Sequence, residues 1–466
     1  MFYGRDSELA ELNRLYAQNS FQFFVLYGRR RVGKTTLIKE FCRDKDTIFF
    51  SAEVSNDKSN LDKFSDVVFT HYNETMLQPF SAWENAFNFI QERQMDNPLI
   101  LVLDEFPYLA DKNPALLSTL QHLIDHKLQH GKIFLILCGS YIGFMEKEVL
   151  GSKSPLFGRR TSQLQLKPLN YLESCKFLSG FSFEEQLMFY GALGATPLYL
   201  SRVDADKSFN DNIIDILLRP TSYLYDEPVF LLNEEIQQAG TYNAIIEAIA
   251  GGASKANEIA TKIGEDSAKC LKYINVLCSL GLLYKEIPFG EKYSSRKTIY
   301  GISDNLFRFW YRYVFTNRTL LETDGWKIVL DKKILPNYQT YMGDIFEKVC
   351  KEFLLKQNNL GNLPILFTSI GRWWGTDSKT KQQVEIDLIA HDNSDYLICE
   401  CKWRNEPIDY SVIQTLRDKA DAFQKVRNNT WFILFSKSGF TPAVHRAIDS
   451  EKDLILFDLN SLFIHQ

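Results

Sequence analysis

Residues 22–36, QFFVLYGRRRVGKTT, decide the fold of the first third of the chain. The apolar run 22–27 predicts a buried strand, and the spacing of TTLIKEFC after the loop predicts an amphipathic helix. Between them lies the complete pattern G-x-x-x-x-G-K-T, in the strand-to-helix setting that this pattern requires. The sequence therefore predicts a parallel-sheet α/β domain with a phosphate-binding loop.

The loop residues have the chemistry to hold ATP with Mg²⁺. Gly28 and Gly33 let the backbone curl, so that successive N–H groups and the helix N-terminus can surround the β-phosphate. Lys34 is predicted to neutralise the β/γ oxygens and to act in catalysis, and the Thr35 hydroxyl is predicted to ligate Mg²⁺. Thr36 completes the predicted nucleotide-binding set. The alternative is a tight turn with a capping threonine.

Two further buried strands are predicted to end beside this loop. The run PLILVLDEF (98–106) ends in Asp104, which would hold the water shell of Mg²⁺, and Glu105, which would polarise the attacking water. The run KIFLILCGS (132–140) ends in Ser140, which is placed to hydrogen-bond the γ-phosphate or that water. Glu105 and Ser140 are therefore predicted catalytic residues, and a helix N-cap is the alternative for Ser140.

Arg159 and Arg160, in PLFGRRTSQL, are also predicted to act in catalysis. A guanidinium that meets the charge developing in phosphoryl transfer speeds the reaction, whether it comes from the same chain or from a neighbouring copy. The protein could therefore act as a homo-oligomer. Surface salt-bridging is the alternative role for both arginines.

Five stretches together resemble the archaeal-type prokaryotic ATPases related to AAA+ and STAND proteins: FYGRDSELAEL, GRRRVGKT, LILVLDEF, CGSYIGFM and PLFGRRTSQLQLKPL. The resemblance covers roughly residues 1–235. It implies that Gly4 and Arg5 lie beside the nucleotide and that Ser140 is a sensor. It also implies that the two-arginine region approaches the γ-phosphate and that residues from about 170 to 235 form a small helical lid.

The order of elements between residues 241 and 301 predicts a winged helix-turn-helix. Three helices, TYNAIIEAIA, SKANEIATKI and DSAKCLKYINVLCSLG, are followed by two β segments, GLLYKEIP and KTIYGIS, which flank the loop FGEKYSSRK. The third helix and the loop would meet a groove and the backbone of double-stranded DNA. Eight Lys and Arg, including Arg296 of the loop, stand against six acidic residues, so the segment is barely positive. Packing or protein contact is the alternative.

The last 125 residues place acidic side chains among apolar ones. In DIFEKVCKEFLL (344–355) Glu347 lies at the margin of the buried stripe. In VEIDLIA, Glu385 and Asp387 share one side of a strand, and in YLICECKW the pair Glu400 and Lys402 do the same. Buried acidic residues are costly unless they are paired or coordinate a metal.

This constellation resembles the PD-(D/E)xK nuclease-like superfamily, which has an α/β restriction-endonuclease-like fold. The resemblance carries over onto Glu347, Asp387, Glu400 and Lys402. It implies that Asp387 and Glu400 bind a second Mg²⁺ or Mn²⁺ and that Glu347 completes its shell. It also implies that Lys402 stabilises the nucleophile or the pentacovalent phosphate. Salt bridges between neighbouring strand residues are the alternative.

A chain of 466 residues is too long for one hydrophobic core, which rarely exceeds about 250 to 300 residues. We expect an α/β multidomain protein in the cytoplasm, without a membrane span, whose eight scattered cysteines are reduced. A net charge of −5 excludes a global field that attracts nucleic acid or membrane. The predicted domains are an ATPase core (1–169), a helical lid (170–238), the winged helix (239–303), a helical connector (304–340) and the nuclease-like domain (341–466).

The leading hypothesis from sequence is an ATP-controlled, DNA-associated enzyme. In it, ATP closes the ATPase domain, the winged helix docks on DNA, and the C-terminal metal site cuts phosphodiester bonds. The rival hypothesis is a STAND-like regulatory switch, in which the nuclease-like domain is a non-catalytic interaction platform. The complete carboxylate and lysine set favours the first hypothesis, and the weak local positive charge favours the second.

Overall fold

The computed structural model describes residues 2–75, 78–94, 96–236, 239–292, 297–423 and 429–464. The chain divides into two compact units. The N-terminal unit contains residues 1–169 and 196–198, and the C-terminal unit contains residues 170–195 and 199–466. Arg296 and the adjoining residues 293–295 of the predicted wing lie outside the described residues.

A five-stranded parallel sheet forms the centre of the N-terminal unit, in the order β2-β3-β4-β1-β5. Its strands are β1 (Gln22–Tyr27), β2 (Thr47–Ser51), β3 (Leu99–Asp104), β4 (Ile133–Gly139) and β5 (Ser162–Gln165). Every residue of β1, β3 and β4 is buried, as expected for central strands covered by helices on both faces. The carboxyl ends of β1, β3 and β4 therefore meet at one edge, where the glycine loop begins.

Helices on the two faces of this sheet complete the N-terminal unit. They are α1 (Asp6–Tyr16), α2 (Lys34–Cys42), α3 (Asp57–His71), α4 (Trp83–Glu92), α5 (Phe106–Lys112), α6 (Ala115–His126) and α7 (Ile142–Phe144), with a 3-10 turn at Leu128–His130 and a π-helical turn at Met145–Val149. Helix α2 packs its apolar stripe, Leu37, Ile38 and Phe41, into the core beneath the sheet. This packing fixes the start of α2 directly after the loop.

Short helices follow the sheet along the chain: α8 (Tyr171–Cys175), α9 (Phe183–Leu193), α10 (Pro197–Leu200), α11 (Phe209–Ile213) and α12 (Glu227–Glu235). Several of them begin at strong N-terminal signals in the sequence. Ser182 and Glu185 form a capping box at α9, in which the side chain of each residue accepts the backbone N–H of the other residue. Asn170 and Glu173 do the same at α8.

Three helices and a two-stranded antiparallel hairpin come next, in the order that the sequence predicts. They are α13 (Ala239–Ala250), α14 (Ala256–Ile263), α15 (Ser267–Ser279), β6 (Leu283–Glu286) and β7 (Ile299–Ile302). Gly264 ends α14 in the left-handed region (φ 70°), and the Asp266 side chain caps α15 by accepting the N–H groups of Ala268 and Lys269. The turn chemistry therefore separates α14 from α15 within three residues.

A helical connector leads into the longest helix of the protein's described part. It contains α16 (Asn305–Phe309), α17 (Arg318–Leu321), α18 (Trp326–Val329) and α19 (Leu335–Leu360), joined by 3-10 and π-helical turns. Helix α19 has 26 residues and therefore continues across residue 341, where the sequence pattern suggested a new domain. Its Tyr338 and Tyr341 hydroxyls each donate to a carbonyl of α9, at 2.7 Å. These two bonds, made by buried rings, fasten the first half of α19 to α9.

A second five-stranded sheet, in the order β12-β11-β10-β9-β8, carries the acidic residues of the C-terminal unit. Its strands are β8 (Ser369–Thr376), β9 (Gln383–Asp392), β10 (Asp395–Lys402), β11 (Thr430–Ser436) and β12 (Leu454–Asp458), and its helices are α20 (Tyr410–Ala422), α21 (Pro442–Ser450) and α22 (Ser461–Ile464). Strands β8, β9 and β10 pair antiparallel, whereas β10, β11 and β12 pair parallel. None of the helices in the described ranges is long and apolar enough to cross a membrane.

A half-buried carboxylate beside α8 makes the stability of the C-terminal unit pH-dependent. Glu352 of α19 accepts the N–H of Tyr171 at 3.1 Å, and burial raises its pKa from 4.5 to about 7. A carboxyl pKa that is higher in the folded state adds stability below pH ~4.5, and this stability is lost as the pH rises through about 7. We therefore expect Glu352→Gln to reduce the loss of unfolding free energy between pH 5 and pH 8.5 by about 2 kcal/mol.

Urea unfolding followed by tryptophan fluorescence at the two pH values measures this effect. Glu406→Gln, at an exposed position in the same unit, is the control. An identical pH dependence for wild type and Glu352→Gln would contradict the assignment.

Candidate functional site

Lys34, the first residue of α2, points back into the glycine loop. Its side chain is buried, with 5% of the residue exposed, and its ammonium donates to the carbonyls of Gly28 (2.7 Å) and Arg29 (2.9 Å). Gly33 adopts φ 94° just before the helix, a conformation that glycine takes at little cost. Loop and helix start therefore hold the buried Lys34 ammonium together with the amides of a helix N-terminus, and the Arg29 side chain of the loop is buried as well. Thr36, in the first turn of α2, is exposed.

Thr35 and Asp104 are joined across the sheet edge. The Thr35 hydroxyl donates to Asp104 Oδ2 at 2.8 Å, although the two residues are 69 positions apart. Asp104 ends β3 and is only 2% exposed, and its other oxygen accepts the N–H of Glu105 at 3.0 Å. A hydroxyl oxygen and a buried carboxylate in contact beside a lysine form a donor set that suits Mg²⁺ with a phosphate.

Glu105 and Ser140 form a second pair at the same edge. The Ser140 hydroxyl donates to Glu105 Oε1 at 2.7 Å, from the residue that follows β4. Glu105 itself has φ 51° and ψ 41°, a left-handed conformation that is uncommon for a residue with a side chain. Because β4 lies between β1 and β3, this pair lies next to the glycine loop in the sheet. The sequence alone did not predict that these two residues contact each other.

Arg5 braces the glycine loop from the N-terminal segment. It is 5% exposed, and its guanidinium donates to the carbonyls of Val32 (3.1 Å) and Lys167 (2.6 Å) and to Glu8 (3.0 Å). Gly4 before it is buried, with φ 72°. Both residues lie in the N-terminal unit against the loop, and their placement beside a nucleotide stays a prediction.

The two adjacent arginines have different surroundings. Arg159 forms a bidentate pair with Asp125 of α6, at 2.8 and 2.7 Å, and also donates to the carbonyls of Pro155 and Phe157. This pair lowers the pKa of Asp125 through the hydrogen bond from Arg159. Arg160 is partly exposed and has no ion-pair partner within the described ranges. Of the two predicted arginines, Arg160 is therefore the one whose guanidinium is not already engaged by a carboxylate.

In the C-terminal unit, Asp387 and Glu400 lie on neighbouring strands of the mixed sheet. Asp387, on β9, is 8% exposed and accepts the N–H of Cys401 at 2.8 Å. Glu400, on β10, is 3% exposed, and Lys402 donates to it at 2.5 Å. Lys419 of α20 contacts both oxygens of Glu400, at 2.9 and 2.8 Å. Glu400 is thus held between two lysines, whose charges offset the cost of burying its carboxylate.

Glu347 faces the same region from α19. Burial, and then the charge of Asp387, raises the pKa of Glu347 from 4.5 to about 8. Burial, and then the charge of Glu400, raises the pKa of Asp387 from 3.8 to about 6. Asp387 thus raises the pKa of Glu347, and Glu400 raises that of Asp387, a repulsion that a bound cation would relieve.

The geometry nevertheless differs from a preformed three-carboxylate metal site. Within the part of the chain that the structure describes, no three His, Cys, Asp or Glu side chains are grouped so that they could hold a metal ion. The carboxylate of Glu400 is turned to Lys402 and Lys419. Glu347 and Asp387 are therefore the two predicted ligands that line one pocket, and Glu400 could join them only if it leaves its lysines.

Comparison with known proteins agrees with the geometry of the N-terminal unit. Residues 2–203 match a family model described as an ATPase domain predominantly from Archaea, and this range includes the glycine loop, Asp104, Glu105 and Ser140. An uncharacterized protein of Methanocaldococcus jannaschii is 33% identical over 463 residues, which cover 98% of this chain and 99% of that protein. The chain belongs to the archaeal ATPase family.

A second family model matches part of the C-terminal unit. Residues 310–417 match a model described as archaeal and bacterial proteins of unknown function. Among solved structures, the Walker-type ATPase of Pyrococcus abyssi has 18% identity and a TM-score of 0.49, over 67% of this chain and 96% of that chain. The ORC2 protein of Aeropyrum pernix has 15% identity and a TM-score of 0.43, over 69% of this chain and 94% of that chain.

Several residues at the two candidate sites were not predicted from the sequence. Asp125 contacts Arg159, and Lys419 contacts Glu400. Arg372 contacts Glu385, two residues before Asp387. Each of the three comes from an element that is distant in sequence. No local pattern singles out one lysine on α20 or one aspartate on α6. Arg372, on β8, lies beside two tryptophans in IGRWWG and pairs with Glu385 of β9.

Proposed function

We propose that this chain is a Mg²⁺-dependent ATP hydrolase whose reaction takes place at the carboxyl edge of the parallel sheet. The observation that carries the proposal is the Thr35–Asp104 hydrogen bond of 2.8 Å beside the buried Lys34 ammonium. Membership in the archaeal ATPase family supports it. Thr35 and Asp104 would hold Mg²⁺, which supplies positive charge to the phosphate oxygens when it is bound.

The remaining residues of this edge have distinct roles in the proposal. Lys34 leaves its two loop carbonyls to pair with phosphate oxygens, while the loop amides before α2 surround them. Glu105 orients the attacking water and draws on its proton, and Ser140 fixes the carboxylate through the bond to Oε1. Arg160 meets the charge that develops on the transferred phosphoryl group.

The direct test is ATP turnover by the purified chain with Mg²⁺, compared with Lys34→Ala. We expect phosphate release by wild type and at least about 100-fold less by the variant, because the only buried ammonium of the loop is lost. If wild type neither bound nor hydrolysed nucleotide in the presence of Mg²⁺, the proposal would be overturned.

Arg160→Ala is expected to lower kcat by at least about 10-fold while the Kd for ATP changes little, since an arginine of this kind acts on the transition state. Arg159→Ala breaks the ion pair with Asp125 and is expected to change turnover by less than about threefold, because that guanidinium is already engaged. Steady-state kinetics and nucleotide binding on both variants make the comparison. Equal losses of kcat would contradict the distinction.

We further propose that the protein associates with DNA and that the C-terminal sheet is a divalent-metal nuclease site. Lys269, Lys272 and Asn275 lie on the exposed face of α15, the helix that would enter the major groove. Glu347 and Asp387 would hold the cation, and the raised pKa of each carboxyl supports this role. Lys402, whose pKa is raised by Glu400 and Asp387 against the opposing effect of burial, would stay protonated beside the phosphate.

Nicking of labelled DNA with Mg²⁺ or Mn²⁺ tests the nuclease part. Asp387→Asn is expected to lower the nicking rate at least about 100-fold. Asp392→Asn, at the partly exposed end of the same strand, is the matched control and is expected to nick like wild type.

The second candidate is a regulatory ATPase switch whose nuclease-like sheet is an interaction platform. The observation that favours it is the engagement of Glu400 by Lys402 and Lys419, which gives that carboxylate a structural role without a metal. Absence of nicking with either metal on single-stranded, duplex and branched DNA, together with ATP turnover, would favour the switch.

A further inference from the structure

A cavity of about 450 Å³ lies in front of Glu347 and Asp387. Residues of α19, β6, β8 and β9 line it, together with Ile287 directly after β6 and Ser303 directly after β7. Its size falls within the range of about 300 to 1,000 Å³ that small-molecule sites occupy. The two carboxylates therefore line a pocket that is partly open to solvent.

The hairpin side of the pocket is anchored to the mixed sheet. The N–H of Phe289, just after β6, donates to the carbonyl of Arg372 at 2.8 Å. The Phe289 side chain is 9% exposed and belongs to the core of that sheet, with its ring 5.2 Å from His391. Gly371 of β8 packs against it, since a Cβ there would lie 3.4 Å from the Phe289 ring, at ordinary contact distance. Burial of this phenylalanine stabilises the folded state, so the hairpin wall is part of the fold.

The pocket is too small to enclose a stretch of double-stranded DNA. Its volume of about 450 Å³ lies in the lower half of the range that small-molecule sites occupy, whereas a duplex carries two strands on either side of grooves up to about 12 Å wide. A single nucleotide of an unpaired strand is within its range. Strand β7 is also bonded to α19, because the Lys348 ammonium of α19 donates to the carbonyl of Ile302 at 3.1 Å.

The charges of the lining fit a phosphate together with a cation. Four cations, Lys285, Lys348, Lys351 and Arg372, face four carboxylates, Glu286, Asp344, Glu347 and Asp387. Asp344 is already paired with Arg308 at 2.7 Å, and Arg372 is paired with Glu385. A divalent ion on Glu347 and Asp387 would neutralise two more carboxylates, which leaves Lys285, Lys348 and Lys351 against Glu286. The pocket would then have an excess of positive charge, which attracts a phosphate.

We propose that this pocket takes one nucleotide of a single strand, with its phosphate at Lys351 and Arg372 and its sugar and base against Tyr284 and Ile287. The proposal rests on the divalent cation of the proposed nuclease site. It assigns the C-terminal site a single-stranded end or an extruded nucleotide as its substrate and excludes the interior of a paired duplex. Aromatic and apolar walls contact any base, so recognition would not depend on sequence.

The test is calorimetric titration of the full chain, carrying Lys34→Ala to suppress nucleotide binding at the glycine loop, with dTMP in the presence of Ca²⁺. Lys351→Ala is expected to raise the Kd for dTMP at least about 10-fold. Lys356→Ala removes the same charge from the same helix outside the pocket and is expected to leave the Kd unchanged. Thymidine and inorganic phosphate are expected to bind at least about 10-fold more weakly than dTMP, and a single-stranded 12-mer to displace dTMP where a blunt 12-base-pair duplex does not.

The outcomes separate this inference from the proposed nuclease. Phosphate that binds as tightly as dTMP, equal effects of the two lysine variants, or displacement of dTMP by the blunt duplex would each overturn it. Asp387-dependent nicking inside a duplex without dTMP binding would also overturn it, while the nuclease proposal would stand. Lys351-dependent dTMP binding without any nicking would uphold the pocket as a nucleotide site and defeat the nuclease.

Discussion

Glu105→Gln is expected to bind ATP with an unchanged Kd and to lower kcat by about 10²- to 10³-fold, since general-base assistance contributes on this scale. The amide keeps the shape of the side chain and an oxygen that can accept the Ser140 hydroxyl, which is 2.7 Å from Glu105 Oε1. The residue also keeps its left-handed backbone at the start of α5. What it loses is a carboxylate that can draw on the proton of water. Single-turnover phosphate release and equilibrium binding of ATP separate the two effects.

Two companion variants make this test specific. Ser140→Ala removes the donor that fixes the Glu105 carboxylate and is expected to lower kcat by about 10-fold. Glu148→Gln changes the same charge elsewhere in the N-terminal unit and is expected to turn over ATP like wild type. If Glu105→Gln kept more than about a tenth of the wild-type kcat, Glu105 would not be the base.

Gly28→Ala is expected to destabilise the N-terminal unit by about 3 kcal/mol and to weaken ATP binding at least 10-fold, as overpacking against backbone does. Gly28 has φ 156°, and a Cβ on it would lie 2.3 Å from the carbonyl oxygen of Leu166. That carbonyl belongs to backbone that follows β5, the strand paired with β1, so it cannot rotate away as a side chain would. The two strands must separate, and the loop between β1 and α2 moves with them.

The matched control is Gly143→Ala in α7. A Cβ there would lie 3.7 Å from the Tyr141 ring, an ordinary contact, and the backbone is helical. Its unfolding free energy and ATP affinity are expected to stay within about 1 kcal/mol of wild type. Thermal unfolding with and without ATP and Mg²⁺ compares the two substitutions. Similar behaviour of Gly28→Ala and Gly143→Ala would contradict the steric argument.

The sheet edge of the N-terminal unit could be predicted from sequence because its signals are local. The run 22–27 is a buried strand, the loop after it has both glycines, and Asp104 ends a second apolar strand. Parallel pairing then brings these ends together without further information. The Ser140–Glu105 contact depends on the strand order, which the pattern of apolar runs does not specify.

The C-terminal unit was less predictable because its contacts join distant elements. The strands with Asp387 and Glu400 lie where the alternation placed them, but Lys419 reaches Glu400 from a helix that follows a loop. Phe289 donates its N–H to the carbonyl of Arg372, 83 positions later, a contact that no periodicity reveals. The roles of these residues remain predictions, and the geometry supplies the contacts on which they can be tested.

The 26-residue helix α19 has a practical consequence for dissecting the chain. At a rise of about 1.5 Å per residue it is a rod of roughly 39 Å. A cut at residue 341, where the sequence pattern changes, would remove its first six residues and the buried ring of Tyr338. It would also remove α9 and the hairpin segment with Phe289. The apolar surfaces of α19 and of the second sheet that pack against them would then be exposed. Fragments that start there should therefore aggregate, and truncation after residue 169 is the better point of division.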